Sequence, residues 1–158
     1  MNKIGPCLWF DSQAEDAANF YVSVFKNAHI VEKTHYPQDL YRPKGSVLTV
    51  RFVLDGQEFL ALNGGPHFTF SPAVSFVVNC ETQADVDYYW DTLLVGGKEV
   101  ECGWLSDKFG LSWQIVPAAL PAMLSSPDGA ATQRTFAAML QMKKLDISVL
   151  EKAFRGES

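Results

Sequence analysis

The chain repeats itself. Ala17, Phe20, Tyr21 and Phe25 fall on Val86, Tyr89, Trp90 and Leu94 at a constant offset of 69 residues. The same offset carries Trp9 onto Val78 and Ile4 onto Ala73. Each quartet is the apolar stripe of an amphipathic helix, and each helix opens on acidic residues that suit a helix N-terminus, DSQAED in one half and ETQAD in the other. Short β-rich runs flank both helices in the order β-α-β-β-β. A unit that occurs twice in one chain generally cannot bury its apolar face alone. The repeat therefore predicts an α+β fold of paired βαβββ modules.

The boundaries follow from turn chemistry. In the first half, residues 4–10 read as a strand, interrupted by Gly5 and Pro6, and Asp11 or Ser12 is the expected helix cap. Strands are expected near 28–36, 46–54 and 57–63, with a hairpin turn at Asp55-Gly56 and a loop over 37–45. In the second half, strands are expected at 73–79, 99–108 and 111–116, and Gly96-Gly97 stops the helix. The repeats span 1–66 and 73–117 and together make one domain, 1–117. Residues 118–158 form a helical extension, in which Ser126-Pro127 opens a helix to about Met142 with Pro at the first helical position, and Asp146 caps the last helix. Phe136, Met139 and Leu140 need an apolar partner there, this chain's sheet or a second subunit, and a homodimer is expected.

Composition narrows the function. A formal charge of −5 and a pI near 5.1 argue against nucleic acid as a partner. No run approaches the roughly 20 apolar residues of a membrane span, and the N-terminus lacks the apolar core of a signal peptide, so no membrane association and a cytoplasmic location are expected. Cys7, Cys80 and Cys102 are widely spaced and odd in number, which reads as free buried thiols. The glycine pairs Gly64-Gly65 and Gly96-Gly97 stand at element ends without the glycine-rich turn of a Rossmann methyltransferase, which argues against S-adenosylmethionine chemistry.

The strings PCLWFDSQAEDAANFYVSVFKN, DGQEFLALNGG and DKFG with SWQIVP resemble the PhnB-like branch of the vicinal oxygen chelate superfamily, which includes glyoxalases, bleomycin resistance proteins and dioxygenases. The branch is often labelled demethylubiquinone methyltransferase-like. The resemblance covers about residues 3–117. It implies curled, mostly antiparallel sheets that each form a cup. In metal-using members it also implies four ligands, one on the first and one on the fourth strand of each half. Carried over, those positions fall at Ile4, Ala61, Ala73 and Gln114. Three of these side chains offer no donor and the fourth is an amide, so no metal and no cofactor are expected.

Neighbours two residues away along a strand share its face. If the metal positions face the cup, so do Pro6, Leu8, Phe10, Phe59 and Asn63 in half one, and Ser75, Val77, Asn79, Ser112 and Gln114 in half two. Trp9, Leu60, Leu62, Phe76, Val78, Trp113 and Ile115 then pack under the helices. Polar residues in half two either bond one another and water or orient a small ligand. The ligand reading places an unidentified small molecule against Ser75, Asn79, Ser112 and Gln114, with Trp104 and His67 at the rim. A polyanion is disfavoured unless Arg51 or Lys108 lies nearby. His67 also reads as an exposed loop residue, Cys102 as a packed thiol, and Asp107 with Gly110 as a structural turn. The expectation is a small-molecule-binding protein; the alternative is a lyase or dioxygenase-like enzyme with a displaced metal or metal-free chemistry.

Overall fold

The computed structural model describes residues 2–157. It divides into two compact units, Met1–Phe70 and Ser71–Ser158. Unit 1 runs β1 (Cys7–Phe10), α1 (Ala14–Val24), β2 (His29–His35), β3 (Val47–Leu54) and β4 (Gln57–Asn63). Its strands lie in the order β1-β4-β3-β2; β1 pairs parallel to β4 and the other pairs are antiparallel. Asp55 and Gly56 both have positive φ (47° and 82°), the conformation that a two-residue hairpin turn needs to match strand twist.

Helix α1 does not take its cap from Asp11 or Ser12. Its N-cap residue is Gln13, whose side chain makes no capping bond. The Ala14 N–H instead donates to Oδ1 of the buried Asn63 at 2.8 Å, so β4 caps the helix. The Asn63 amide also donates to the Val47 carbonyl, and the Tyr36 hydroxyl donates to the Asn63 carbonyl. One face of α1 is small: Ala14, Ala17 and Ala18 are fully buried, which lets the helix lie close on the sheet. Tyr21 stacks on Phe52 and Phe52 on Phe59, with centroids 6.2 and 5.3 Å apart. Each such ring contributes about 1.5–3 kcal/mol by leaving water.

Unit 2 repeats the plan with β5 (Ser75–Cys80), α2 (Gln83–Leu94), β6 (Lys98–Glu99), β7 (Trp104–Ser106) and β8 (Ser112–Pro117), in the order β5-β8-β7-β6. Again the first strand pairs parallel to the last. Thr82 caps α2 by accepting from the Asp85 N–H. Val86, Trp90 and Leu93 of the helix are buried, as are Leu105, Trp113 and Ile115 of the sheet. The tail adds α3 (Leu120–Leu124), α4 (Gly129–Met139) and α5 (Ile147–Arg155). Asp146 caps α5 as expected. Pro127 lies outside α4, which is capped by Asp128, and that helix ends before Met142. Leu120, Leu145 and Leu150 form a small core joined by Met139, while Phe136 and Leu140 stay half exposed.

The two sheets close with equivalent bonds: Gly64 N–H to the Phe10 carbonyl at 2.9 Å, and Ala118 N–H to the Cys80 carbonyl at 2.8 Å. Phe10 and Cys80 are therefore counterparts, 70 residues apart, although the helices correspond at 69. The difference is loop length: residues 11–13 join β1 to α1, but only 81–82 join β5 to α2. One residue of slip exchanges the two faces of a strand. So in unit 1 the expected faces are reversed. Leu8, Phe10, Phe59, Ala61 and Asn63 are buried on the helix side, and Trp9, Leu60 and Leu62 lie on the helix-free side. In unit 2, Phe76, Val78, Trp113 and Ile115 take the helix side, as read from alternation.

Candidate functional site

In unit 2 the helix-free face carries Ser75, Val77, Asn79, Ser112 and Gln114. Two of these polar groups are bonded to each other: Gln114 Nε2 donates to Ser75 Oγ at 3.0 Å. Asn79 is exposed and Ser112 buried. Trp104 is half-buried and sits opposite Gln114 in the β7–β8 ladder. His67 belongs to unit 1, where it is exposed and meets the Tyr41 ring edge to face at 5.5 Å. Asp107 is structural: its buried carboxylate accepts from Phe109 N, Leu111 N and Trp113 Nε1. Cys102 is half-buried, and its backbone N–H donates to the Met142 carbonyl. Of the three free thiols only Cys80 is buried, and Cys7, expected to be buried, is exposed.

The helix-free face of unit 1 is different in character. The ladders place Cys7, Leu60, Arg51 and Glu32 in one row across all four strands, and Glu58 opposite Val53 in the next. Beside this row a cavity of about 260 Å³ opens, lined by Asn2, Gly5, Pro6, Cys7, Arg51, Glu58, Phe59 and Leu60. The walls are mostly apolar, and the charged Arg51 and Glu58 stand side by side among them. Arg51 lies 3.8 Å from Glu58 and 3.6 Å from Glu32. Both separations exceed a hydrogen bond, and the buried Nε of Arg51 has no hydrogen-bond partner. Glu58 in turn accepts the Asn2 N–H at 3.1 Å. Although Cys7 is accessible as a residue, its sulfur is partly desolvated, which raises the thiol pKa. It is a neutral thiol at pH 7.

Sequence reasoning passed over this face because it assigned Leu60 and Trp9 to the core. The signal was present in VLTVRFVL. Arg51 is the one charge in that strand, between the buried Val50 and Phe52, so its side chain has to leave by the helix-free side. The implied four-ligand metal site does not fit these residues. Ile4 precedes β1 and is 87% exposed, Ala61 is buried on the helix side, Ala73 precedes β5, and the Gln114 amide is bonded to Ser75. Among the described residues no three of His, Cys, Asp and Glu stand together as ligands for an ion.

Two four-stranded mixed sheets, each strand set wrapped on one helix in the order βαβββ, define the vicinal oxygen chelate architecture. The chain belongs to the 3-demethylubiquinone-9 3-methyltransferase family, whose model matches residues 2–116, and to its PhnB-like group. A PhnB protein from Bacillus cereus is 36% identical, with a TM-score of 0.68, over 74% of this chain and all of that one. A protein from Pseudomonas aeruginosa is 17% identical, with a TM-score of 0.62, over 74% of this chain and 98% of that one. The fosfomycin resistance protein FosX of Listeria monocytogenes, solved with Mn(II) and sulfate, shares the fold at 12% identity and a TM-score of 0.53, over 78% of this chain and 94% of that one. No curated protein matches the chain.

Proposed function

We propose that the protein binds a small organic molecule on the helix-free face of its first sheet, in the cavity beside Arg51, without the metal of its superfamily. One observation carries this reading: a concave, mostly apolar space ends on a guanidinium with a buried, unused donor. That pairing of apolar walls with a few convergent polar groups is what small-molecule sites share. The methyl transfer in the family's description finds no support in the connections that a Rossmann fold would use, because Asp11-Ser12-Gln13 and Glu81-Thr82 carry no glycine. A metabolite screen by amide chemical-shift mapping tests the proposal. Ligands are expected to move the Cys7, Arg51 and Leu60 amides. Ligands that move only Ser75, Asn79 and Gln114 would return the site to unit 2.

The proposal extends to assembly as a homodimer. Phe136 and Leu140 stand one turn apart on the α4 side, 48% and 47% exposed, and a second copy is the partner that would cover them.

A further inference from the structure

Resting on that reading for its place, the charges beside the cavity restrict what it accepts. Arg51 brings one positive charge, and Glu58 and Glu32, at 3.8 and 3.6 Å, bring two negative ones, so the trio carries one negative charge in excess. Its two sides are not equally open. The Arg51 Nε is inaccessible, and nothing in the cavity reaches it. Glu58 lines the cavity with its side chain 23% exposed. One of its oxygens accepts the Asn2 N–H, and the other, Oε1, faces Arg51 from beyond hydrogen-bond distance, which leaves it lone pairs for a donor. An ammonium donating to Oε1 stands about 3 Å from that oxygen and, coming from the open side, farther from the guanidinium. Attraction then acts over a shorter distance than repulsion, and Glu32 adds to it. A monocation brings the trio to neutrality, an anion would enlarge the excess, and a dication would reverse it. The rest of the wall suits an organic cation, because Pro6 and Leu60 are apolar and burial keeps the Cys7 thiol protonated at pH 7. About 260 Å³ lies at the small end of ligand cavities and admits a short chain. The net charge of −5 favours approach of the same sign of ligand.

We infer that the cavity takes a small aliphatic primary amine as its ammonium ion, an N–H donating to Glu58 Oε1 and the chain lying along Pro6, Cys7 and Leu60. Arg51 sets the charge limit: it cancels one of the two carboxylates and so holds the ligand to a single positive charge.

The test uses the full-length ¹⁵N-labelled protein and four probes of similar size at constant ionic strength: butylammonium, butyramide, butyrate and 1,4-butanediammonium. Butylammonium is expected to shift the Asn2, Cys7 and Leu60 amides saturably, to bind most tightly of the four, and to weaken as salt is raised. Glu58→Gln is expected to weaken butylammonium at least about tenfold, the loss of one charge-assisted bond, and to leave butyramide within about twofold. Arg51→Gln is expected to tighten butylammonium and to tighten the diammonium more, because the excess grows to two negative charges. Tighter binding of butyramide, butyrate or the diammonium to the unmutated protein at the same amides would overturn the ligand class and leave the cavity as the site. Silence of those amides with all four probes would overturn both. If Glu58→Gln does not give a folded spectrum, Arg51→Gln decides alone, since weakened butylammonium binding in that variant contradicts the charge argument.

Discussion

Asp107 shows how one residue can hold a turn and a core together. Its carboxylate is 3% exposed and accepts three N–H groups, among them the indole of Trp113 at 2.8 Å. Asp107→Ala leaves those donors without an acceptor, at a cost of about 3 kcal/mol in urea unfolding. Asp107→Asn keeps the shape but can set an amide N–H against the indole N–H, so it is also expected to destabilise, by about 1–3 kcal/mol. Cys80 makes a pH-dependent contribution of the opposite chemistry. Burial, assisted by the charge of Asp85, pushes its thiol up to about 11 from 9.0. The folded thiol is the harder one to ionise, so its contribution is complete below pH 9 and is lost as pH rises from about 9 to about 11. Melting temperatures are expected to fall across that window, and Cys80→Ala is expected to flatten that part of the fall.

At the scale of elements, the tail is fastened to α2 through Gln83. Its amide donates to the Leu145 carbonyl at 3.1 Å and accepts the Ile147 N–H at 2.8 Å, while Lys144 pairs with Asp87 and Asp91 at 3.2 and 3.1 Å. Gln83→Leu is expected to cost about 1–3 kcal/mol and to speed hydrogen exchange at Ile147 more than at Ile115 of β8. The Gln83 amide and the Lys144 ammonium hold the Asp87 carboxyl below its usual range. The contribution of that pairing is therefore present above the ordinary carboxylate pKa and fades as pH drops through the lowered one. Most elements were legible because their signals are local. The Asp55-Gly56 turn, the stripe of Ala17 and Tyr21, and the Asp146 cap each sit within a few residues of what they determine. The α1 cap was not legible, because Asn63 lies 49 residues from Ala14. The faces of unit 1 were misread for a related reason: the helix stripe set the repeat offset, and nothing local to Trp9 or Leu60 records that the loop between β1 and α1 is one residue longer than its counterpart. The candidate site moved with that slip, from the Ser75–Gln114 pair to Arg51, Glu58 and Cys7.

For the molecule as a whole, the described residues include no helix long and apolar enough to cross a membrane, and Phe136 and Leu140 are half exposed. Light scattering is expected to give the mass of a dimer, and Phe136→Glu with Leu140→Lys that of a monomer with an unchanged circular dichroism spectrum. Metal binding is decided by the donors a site can present. A divalent transition ion held in a protein site needs three or four imidazole, thiolate or carboxylate ligands in one place. On the helix-free face of unit 1 such groups are Glu58, Glu32 and Cys7, which do not stand together as ligands among the described residues; Glu32 faces Arg51, one Glu58 oxygen is taken by the Asn2 N–H, and the thiol resists deprotonation. The cation of Arg51 beside them opposes a second one. On the helix-free face of unit 2, Ser75, Asn79, Ser112 and Gln114 carry no charge, and Ser75 and Gln114 bond each other. Dialysis against Mn(II), Zn(II) or Ni(II) is therefore expected to leave well under one ion per chain by elemental analysis and to leave the melting temperature unchanged. One ion per chain, lost in Glu58→Gln or Gln114→Leu, would mean that the donors rearrange on binding.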